Sequence, residues 1–292
     1  MRDYVILSDS NSEMPLAFQQ EHQIPYMRMP YTLNDKEYAY DLGENKDNVT
    51  EFYSAIRAGA MPTTAQRNPA DFVEFFRPHL EAGKDLLYIS FSSGMSGNLN
   101  SGRLAAEILH EEFPDQRIEM VDTLSISLGE ALLVYYAVMK KESGASLDEV
   151  KNWVADNALR MNHWFTVQDL NHLKRGGRIK SSAAFMGTLM DIKPILTVDR
   201  AGVCVPEEKV KGRKRSLRTL ISRVESLIEA PEEQVIGIAH GDCLEDALFV
   251  KEKIMQSIPV KDVWVNLVGP VIGTHAGPDV LGVLFLGKER KF

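Results

Sequence analysis

Hydroxyl side chains set among glycines, where a strand gives way to a helix, carry the clearest chemistry in this chain. Between Asp85 and Ser101 the segment DLLYISFSSGMSGNLNS places Ser92, Ser93 and Ser96 beside Gly94 and Gly97. Leu86, Leu87, Ile89 and Phe91 read as an interior strand, and Gly97 to Glu107 carries apolar residues at helical spacing. A loop of this kind offers free backbone N–H groups, the positive end of a helix dipole and hydroxyl donors to whatever occupies it. The matching occupant is an anionic head group, a carboxylate or a phosphate.

Two other segments hold groups suited to the same task. In MPTTAQRNP at 61–69, Thr64 and Gln66 can donate to an anion just before the helix start at Asn68-Pro69. The plainer reading is that Thr63 and Thr64 satisfy turn backbone. In GPVIGTHAGPDVLGVLFLG at 269–287, His275 sits in a Gly-rich loop with little packing to explain it, placed to bond a head group or to orient a hydroxyl that does.

Ser96 and His275 also raise a serine-hydrolase reading. Gly94-Met95-Ser96-Gly97-Asn98 lacks the last glycine of the GxSxG elbow and nothing nominates a third member, so Ser96 reads as a donor. Gly282 to Lys288 has the GxxxxGK spacing of a P-loop, but Glu289 stands where the magnesium-holding hydroxyl belongs and the glycines fall in a strand, so the nucleotide reading is rejected. Two basic stretches remain: a Gly-punctuated turn from His172 to Arg178, and Lys209 to Arg215 before a helix. Charge runs are usually solvated faces, yet cations at a helix start oppose its dipole, which hints at docking of an acidic partner or a phosphate.

The elements that must position these groups alternate. Strands are expected at Tyr4 to Leu7, Leu86 to Phe91 and Ile118 to Val121, with helices at Met14 to His22, from Pro69, and at Leu128 to Lys141 and Leu147 to Leu159. Such alternation predicts a mostly parallel sheet flanked by helices, with the polar loops after Leu7, Phe91 and Val121 converging at its carboxyl edge. After Trp164 the order changes to strands at Ile195 to Val198, Val203 to Glu207, Val235 to Ala239, Asp262 to Leu267 and Val280 to Leu286, interleaved with helices at Ser216 to Ile228 and Leu244 to Ser257. That order fits a mixed or antiparallel sheet with helices on one face. An α/β protein of two domains is expected, 1–158 with the head-group loops and 159–292 completing the ligand site.

Composition narrows the class. A formal charge of −8 over 292 residues argues against a general nucleic-acid binder. No apolar run is long enough for a transmembrane segment, and MRDYVILSD does not have the order of a signal peptide, so a cytoplasmic location is expected. Cys204 and Cys243 lack CxxC spacing and suggest neither a disulfide framework nor a metal site.

Taken together, these blocks resemble the DegV family, fatty-acid-binding proteins that include the acyl-carrying subunits of bacterial fatty acid kinase. The resemblance covers nearly the whole chain. It rests on Ser8-Asp9-Ser10, on Thr64 and Gln66 in a TSQ-like loop, on SSGMSGNLNS at 92–101, on LKRGGRIKSSAAFMGTLMDIKPIL at 173–196 and on GPVIGTHAGP at 269–278. It implies a DegV-like fold with a long-chain fatty acid between two domains, the carboxyl held by Thr64 and Ser96, with Gly97 as an adjacent backbone contact and His275 close by. Ala65, Asn98 and Leu99 depart from the family pattern, and the missing hydroxyl at Ala65 predicts a thinner network or one shifted toward Ser93.

Arg175, Lys211 and Arg213 become candidates for meeting an ATP-binding fatty acid kinase subunit or the phosphate it transfers. On this reading the chain is a lipid-binding carrier with no metal, no cofactor and no catalysis of its own. The alternative is an independent small-molecule enzyme, hydrolase-like or dihydroxyacetone-kinase-like, using Ser96 and His275. Phe185, Met186, Leu189, Met190 and Ile192 are candidates either for a tail tunnel or for ordinary core.

Overall fold

The computed structural model describes residues 2–179 and 191–291. Its first sheet has the order β2-β1-β6-β7, from β1 (Tyr4–Asp9), β2 (Tyr26–Met27), β6 (Asp85–Ser90) and β7 (Ile118–Asp122), and every pairing is parallel. Each residue of β6 is buried, as a central parallel strand covered on both faces must be. The helices of this half include α1 (Leu16–Glu21), α3 (Pro69–Glu81), α4 (Asn98–Glu112), α5 (Leu128–Glu142) and α6 (Leu147–Asn157), of which α3 to α6 pack against its strands. Asn68 caps α3 in a reciprocal capping box with Asp71, and Ser146 does the same for α6 with Glu149.

The second sheet has the order β10-β9-β8-β13-β11-β12, built from β8 (Met161–Thr166), β9 (Ile192–Val198), β10 (Cys204–Lys211), β11 (Val235–His240), β12 (Asp262–Leu267) and β13 (Leu281–Leu286). Among its described strands β11 and β12 pair in parallel and the other neighbours are antiparallel. The helices α8 (Arg213–Leu227) and α9 (Leu244–Ser257) form one apolar cluster with Trp164, Ile236, Ile238, Val283 and Phe285. The opposite face is not bare: α5 of the first half packs against β8, β11 and β13, and Leu128 lies where a Cβ on Gly237 would stand, 2.9 Å away. The two halves therefore share one packed boundary.

Three elements differ from the sequence expectation. A small antiparallel sheet, β4-β3-β5, is formed by β3 (Pro30–Leu33), β4 (Lys36–Ala39) and the two-residue β5 (Thr63–Thr64), followed in the chain order by α2 (Lys46–Arg57) between β4 and β5. Its hairpin turns through Asn34 and Asp35, both at positive φ (49° and 61°). The expected turn around His172 contains a short helix, α7 (Asn171–Arg175), and the Gly-rich loop around His275 is a helix, α10 (Pro270–Ala276). In α10 the glycines are packing faces: a Cβ on Gly269 would lie 2.2 Å from Tyr40, and one on Gly273 2.7 Å from Phe52. Pro270 starts the helix at its first position and Gly277, at φ 76°, ends it.

Candidate functional site

The loop from Phe91 to Gly97 is shaped by Ser92, which is fully buried. Its hydroxyl donates to Gly202 O at 2.8 Å and accepts from Gly94 N, while its carbonyl accepts from Met95 N and Ser96 N. This winding delivers Ser96 and Gly97 to the start of α4, where Ser96 Oγ accepts from Asn98 N at 3.3 Å. The Gln66 amide lies against Gly97, with Oε1 2.1 Å from where a Cβ would be, so a side chain there would displace the amide. Asn98 then ties the start of α4 to the neighbouring segments, accepting from Arg67 N at 3.0 Å and donating to Met29 Sδ at 3.1 Å.

Thr64 is held by β5, which pairs with β3 through Tyr31. Across from it, α10 presents His275, and the Thr64 hydroxyl and His275 Nε2 share a hydrogen bond of 2.8 Å. His275 Nδ1 is buried without a hydrogen-bond partner and rests against Gly176, where a Cβ would be 2.1 Å away. Burial, with the nearby Arg178 and Arg175 guanidinium groups, pushes His275 down from 6.5 to about 4, so the ring is neutral at pH 7. Among the described residues no carboxylate hydrogen-bonds the ring, and its partner is Thr64 rather than Ser96, so Ser96 and His275 do not form a nucleophile–base pair here.

Thr64, Ser96, Gly97 and His275 line one cavity of about 160 Å³. Gln66, Asn98 and Arg178 share that wall, and the rest is largely apolar, including Phe91, Ile126, Phe165, Leu173, Val271 and Leu284. The second sheet contributes strand residues, and the first half contributes the loops that follow its strands. Arg178 is braced by donation to Met95 O at 3.3 Å and Gly176 O at 2.5 Å, which fixes a cation at the polar end. A polar cluster capped by donors, continuous with an apolar interior, suits an amphiphile with an acidic head.

The DegV family model, described as "Uncharacterised protein, DegV family", matches residues 3–288. The chain belongs to the DegV family. A DegV domain-containing protein of Clostridium perfringens is 42% identical over 100% of both chains, and one of Streptococcus pyogenes is 32% identical over 99% of both. Among solved structures, a Thermus thermophilus DegV family protein described as fatty-acid-binding superposes with a TM-score of 0.86 at 29% identity, covering 99% of this chain and 100% of that one. A DegV lipid-binding protein of Thermotoga maritima gives 0.85 at 26% identity, with 99% and 100% covered.

Of the residues expected from the DegV-like blocks, Ser93 is not brought to the cavity. Its side chain is exposed and its N–H donates to Asp122 Oδ1 at 3.2 Å, because the chain turns outward there to wind around Ser92. Arg175 is exposed at the end of α7, beside His172 and near enough to His275 to affect its titration. Lys211 is exposed at the end of β10, outside the cavity lining. Arg213 is engaged internally, with Nε on Asp246 at 2.7 Å and Nη2 on Cys243 Sγ at 3.4 Å. Cys204 lines the cavity as a buried thiol pushed up to about 12, a packing group at neutral pH. Ile192 opens β9, half-buried, whereas Phe185, Met186, Leu189 and Met190 lie outside the described residues. Among the described residues no helix is long and apolar enough to cross a membrane, and no group of three acids, histidines or cysteines stands ready for a metal.

Sequence reasoning missed Arg178 and Asn11. Arg178 was visible as the last cation of LKRGGR but was read as part of a solvated run. Asn11, buried with Oδ1 unpaired and lining the cavity, follows directly on the Ser8-Asp9-Ser10 block.

Proposed function

We propose that this protein binds a long-chain fatty acid in the cavity and presents its carboxyl to a separate ATP-dependent kinase for conversion to an acyl phosphate. The observation that carries the reading is the Thr64–His275 hydrogen bond in the wall of a largely apolar cavity that also holds Ser96, Gly97 and Arg178. The DegV relatives described as fatty-acid-binding support it.

The chemistry of the head group follows from the hydrogen bonds. His275 Nδ1 has no acceptor, and a buried N–H without one is rarely tolerated, so the ring proton belongs on Nε2 and is donated to Thr64 Oγ1. The Thr64 hydrogen is then directed to the ligand. The Ser96 hydroxyl, whose oxygen already accepts from Asn98 N, supplies a second donor, and Arg178 balances the charge. Each methylene buried contributes about 0.8 kcal/mol gross, whereas each hydrogen bond to a carboxylate contributes about 1.5–3 kcal/mol. The tail supplies affinity and the polar groups orient the carboxyl.

Because this chain holds the acid but has no assembled nucleophile and base, phosphoryl transfer falls to a partner. The exposed Arg175 beside the head group, with Lys211 farther off, is the candidate contact for that partner or for the transferred phosphate.

Protein purified from a bacterial host and analysed by native mass spectrometry, followed by identification of the organic extract, is the test. About one long-chain fatty acid per chain, converted to acyl phosphate on adding a fatty acid kinase and ATP, is expected. Protein that carries none and takes up neither oleate nor palmitate would refute the reading.

A further inference from the structure

Glu13 is a buried carboxyl that the head-group chemistry does not use. It closes the short 3-10 turn Ser10–Ser12 in the left-handed region, at φ 53°, with 1% of its surface exposed. Both features cost stability: a non-glycine residue there is disfavoured by about 1–2 kcal/mol, and a buried carboxyl must be matched by hydrogen bonds.

Those bonds run to α10 and to the start of α5. Gly269 N, at the N-terminus of α10, donates to Glu13 Oε1 at 2.6 Å. Asn266 Nδ2, just before α10, donates to the Glu13 carbonyl at 2.7 Å. Glu13 Oε2 is hydrogen-bonded to the Ser127 hydroxyl at the start of α5. Burial raises the Glu13 carboxyl to about 8, so it is largely protonated at pH 7 and acts through hydrogen-bond geometry.

We infer that Glu13 is the positioning residue for His275, fixing the N-terminus of α10 so that the imidazole meets Thr64. The helix has seven residues, too few to hold its own orientation. His275 lies six residues beyond Gly269, about 9 Å along the axis, so a tilt of about 10° moves the ring by about 1.5 Å and breaks a 2.8 Å hydrogen bond. Other groups also bear on α10: the Tyr53 hydroxyl donates to Val268 O at 2.8 Å, Tyr40 packs against Gly269 and Phe52 against Gly273, but it is the Glu13 carboxyl that accepts the Gly269 N–H. This role rests on the head-group reading of His275, but it concerns geometry that exists before any ligand arrives.

The experiment uses the full chain labelled with 15N-histidine, without ligand and with oleate, as wild type, Glu13→Gln, Glu13→Ala and Asn266→Ala. Gln keeps the acceptor for Gly269 and a polar group for Ser127; Ala removes both. The wild type and Glu13→Gln are expected to share the His275 Nε2 resonance of a hydrogen-bonded imidazole and to hold oleate alike. Glu13→Ala should lose that resonance and bind oleate at least tenfold more weakly while its circular dichroism is retained, with Asn266→Ala intermediate. A folded Glu13→Ala whose ligand-free His275 spectrum is unchanged would overturn the inference, as would a Glu13→Gln that behaves like Glu13→Ala. If Glu13→Ala does not fold, an unchanged His275 spectrum in both Asn266→Ala and Ser127→Ala overturns it. Because the ligand-free spectrum does not depend on what the cavity holds, this outcome is separable from a failure of the fatty-acid reading.

Discussion

Two polar regions behave oppositely under the same physical influence. Around the first loop, Asp9, Glu13 and Glu130 are buried carboxyls pushed upward, Asp9 to about 6 and Glu13 to about 8, chiefly by loss of water. Each accepts an internal hydrogen bond: Tyr88 OH and Asn11 N donate to Asp9, Gly269 N donates to Glu13, and the Ser8 hydroxyl donates to Glu130 Oε1 at 2.9 Å, while Glu130 Oε2 is left without a partner among the described residues. At the head-group site burial instead pushes His275 down to about 4, and donor hydrogens are left over at the Thr64 and Ser96 hydroxyls. At pH 7 His275 is neutral and Glu13 is largely protonated, whereas Asp9 is largely ionised. The acid cluster spends its polar groups on the protein's own geometry, whereas the histidine cluster keeps donors for something that comes from outside.

The sharpest way to break this contrast is to remove the donors. Thr64→Ala or Ser96→Ala should each weaken fatty-acid binding about tenfold to a hundredfold, by calorimetry, with little change in melting temperature. Unchanged affinity in both would mean that the spare donors serve nothing. Gly176→Ala leaves every donor in place but puts a Cβ 2.1 Å from His275 Nδ1, so the ring must move. A loss of about tenfold in affinity is expected, and retention of full affinity would show that the imidazole is not held in register.

Titration sharpens the same comparison. Glu13 has a raised carboxyl, so its contribution to stability is full below about 4.5 and is lost as pH rises through about 8. His275 has a lowered value, so its contribution is full above 6.5 and is lost as pH falls through about 4. Denaturant unfolding across pH should therefore show Glu13→Gln gaining on the wild type as pH rises from about 5 to 8, and His275→Asn gaining as pH falls from about 6.5 to 4, each by at most about 1.4 kcal/mol per pH unit. Parallel slopes in both variants would remove the distinction. The smallest effect is expected outside both regions: Arg57, partly exposed, pairs with Asp242 at 2.7 Å and Asp279 at 3.0 Å, and Arg57→Ala should cost about 1 kcal/mol or less in urea.

Much of this arrangement was legible in the residues because their local signals agree. The strand at 85–90, the capped start at Asn68-Pro69 and the helix at 244–257 each combine periodicity with end signals. The convergence of the polar loops is visible in Ser92 N donating to Ser125 O and Ser93 N donating to Asp122. The glycines around His275 were misleading, because close packing on Tyr40 and Phe52 and flexible loop structure both call for glycine. Ser93 and Ser96 are equivalent in the sequence, and only the winding about Ser92 sends one outward. Glu13 carried no periodic or motif signal, since its partner Gly269 is 256 residues away.

The central claim, that Thr64, Ser96 and His275 receive a carboxylate, is tested most directly by NMR of bound palmitate labelled with 13C at the carboxyl. A single bound resonance that is displaced from that of the free acid, and that moves again in Thr64→Ala and in Ser96→Ala, is the expected result. A bound carboxyl that titrates like the free acid and ignores both substitutions would contradict the account.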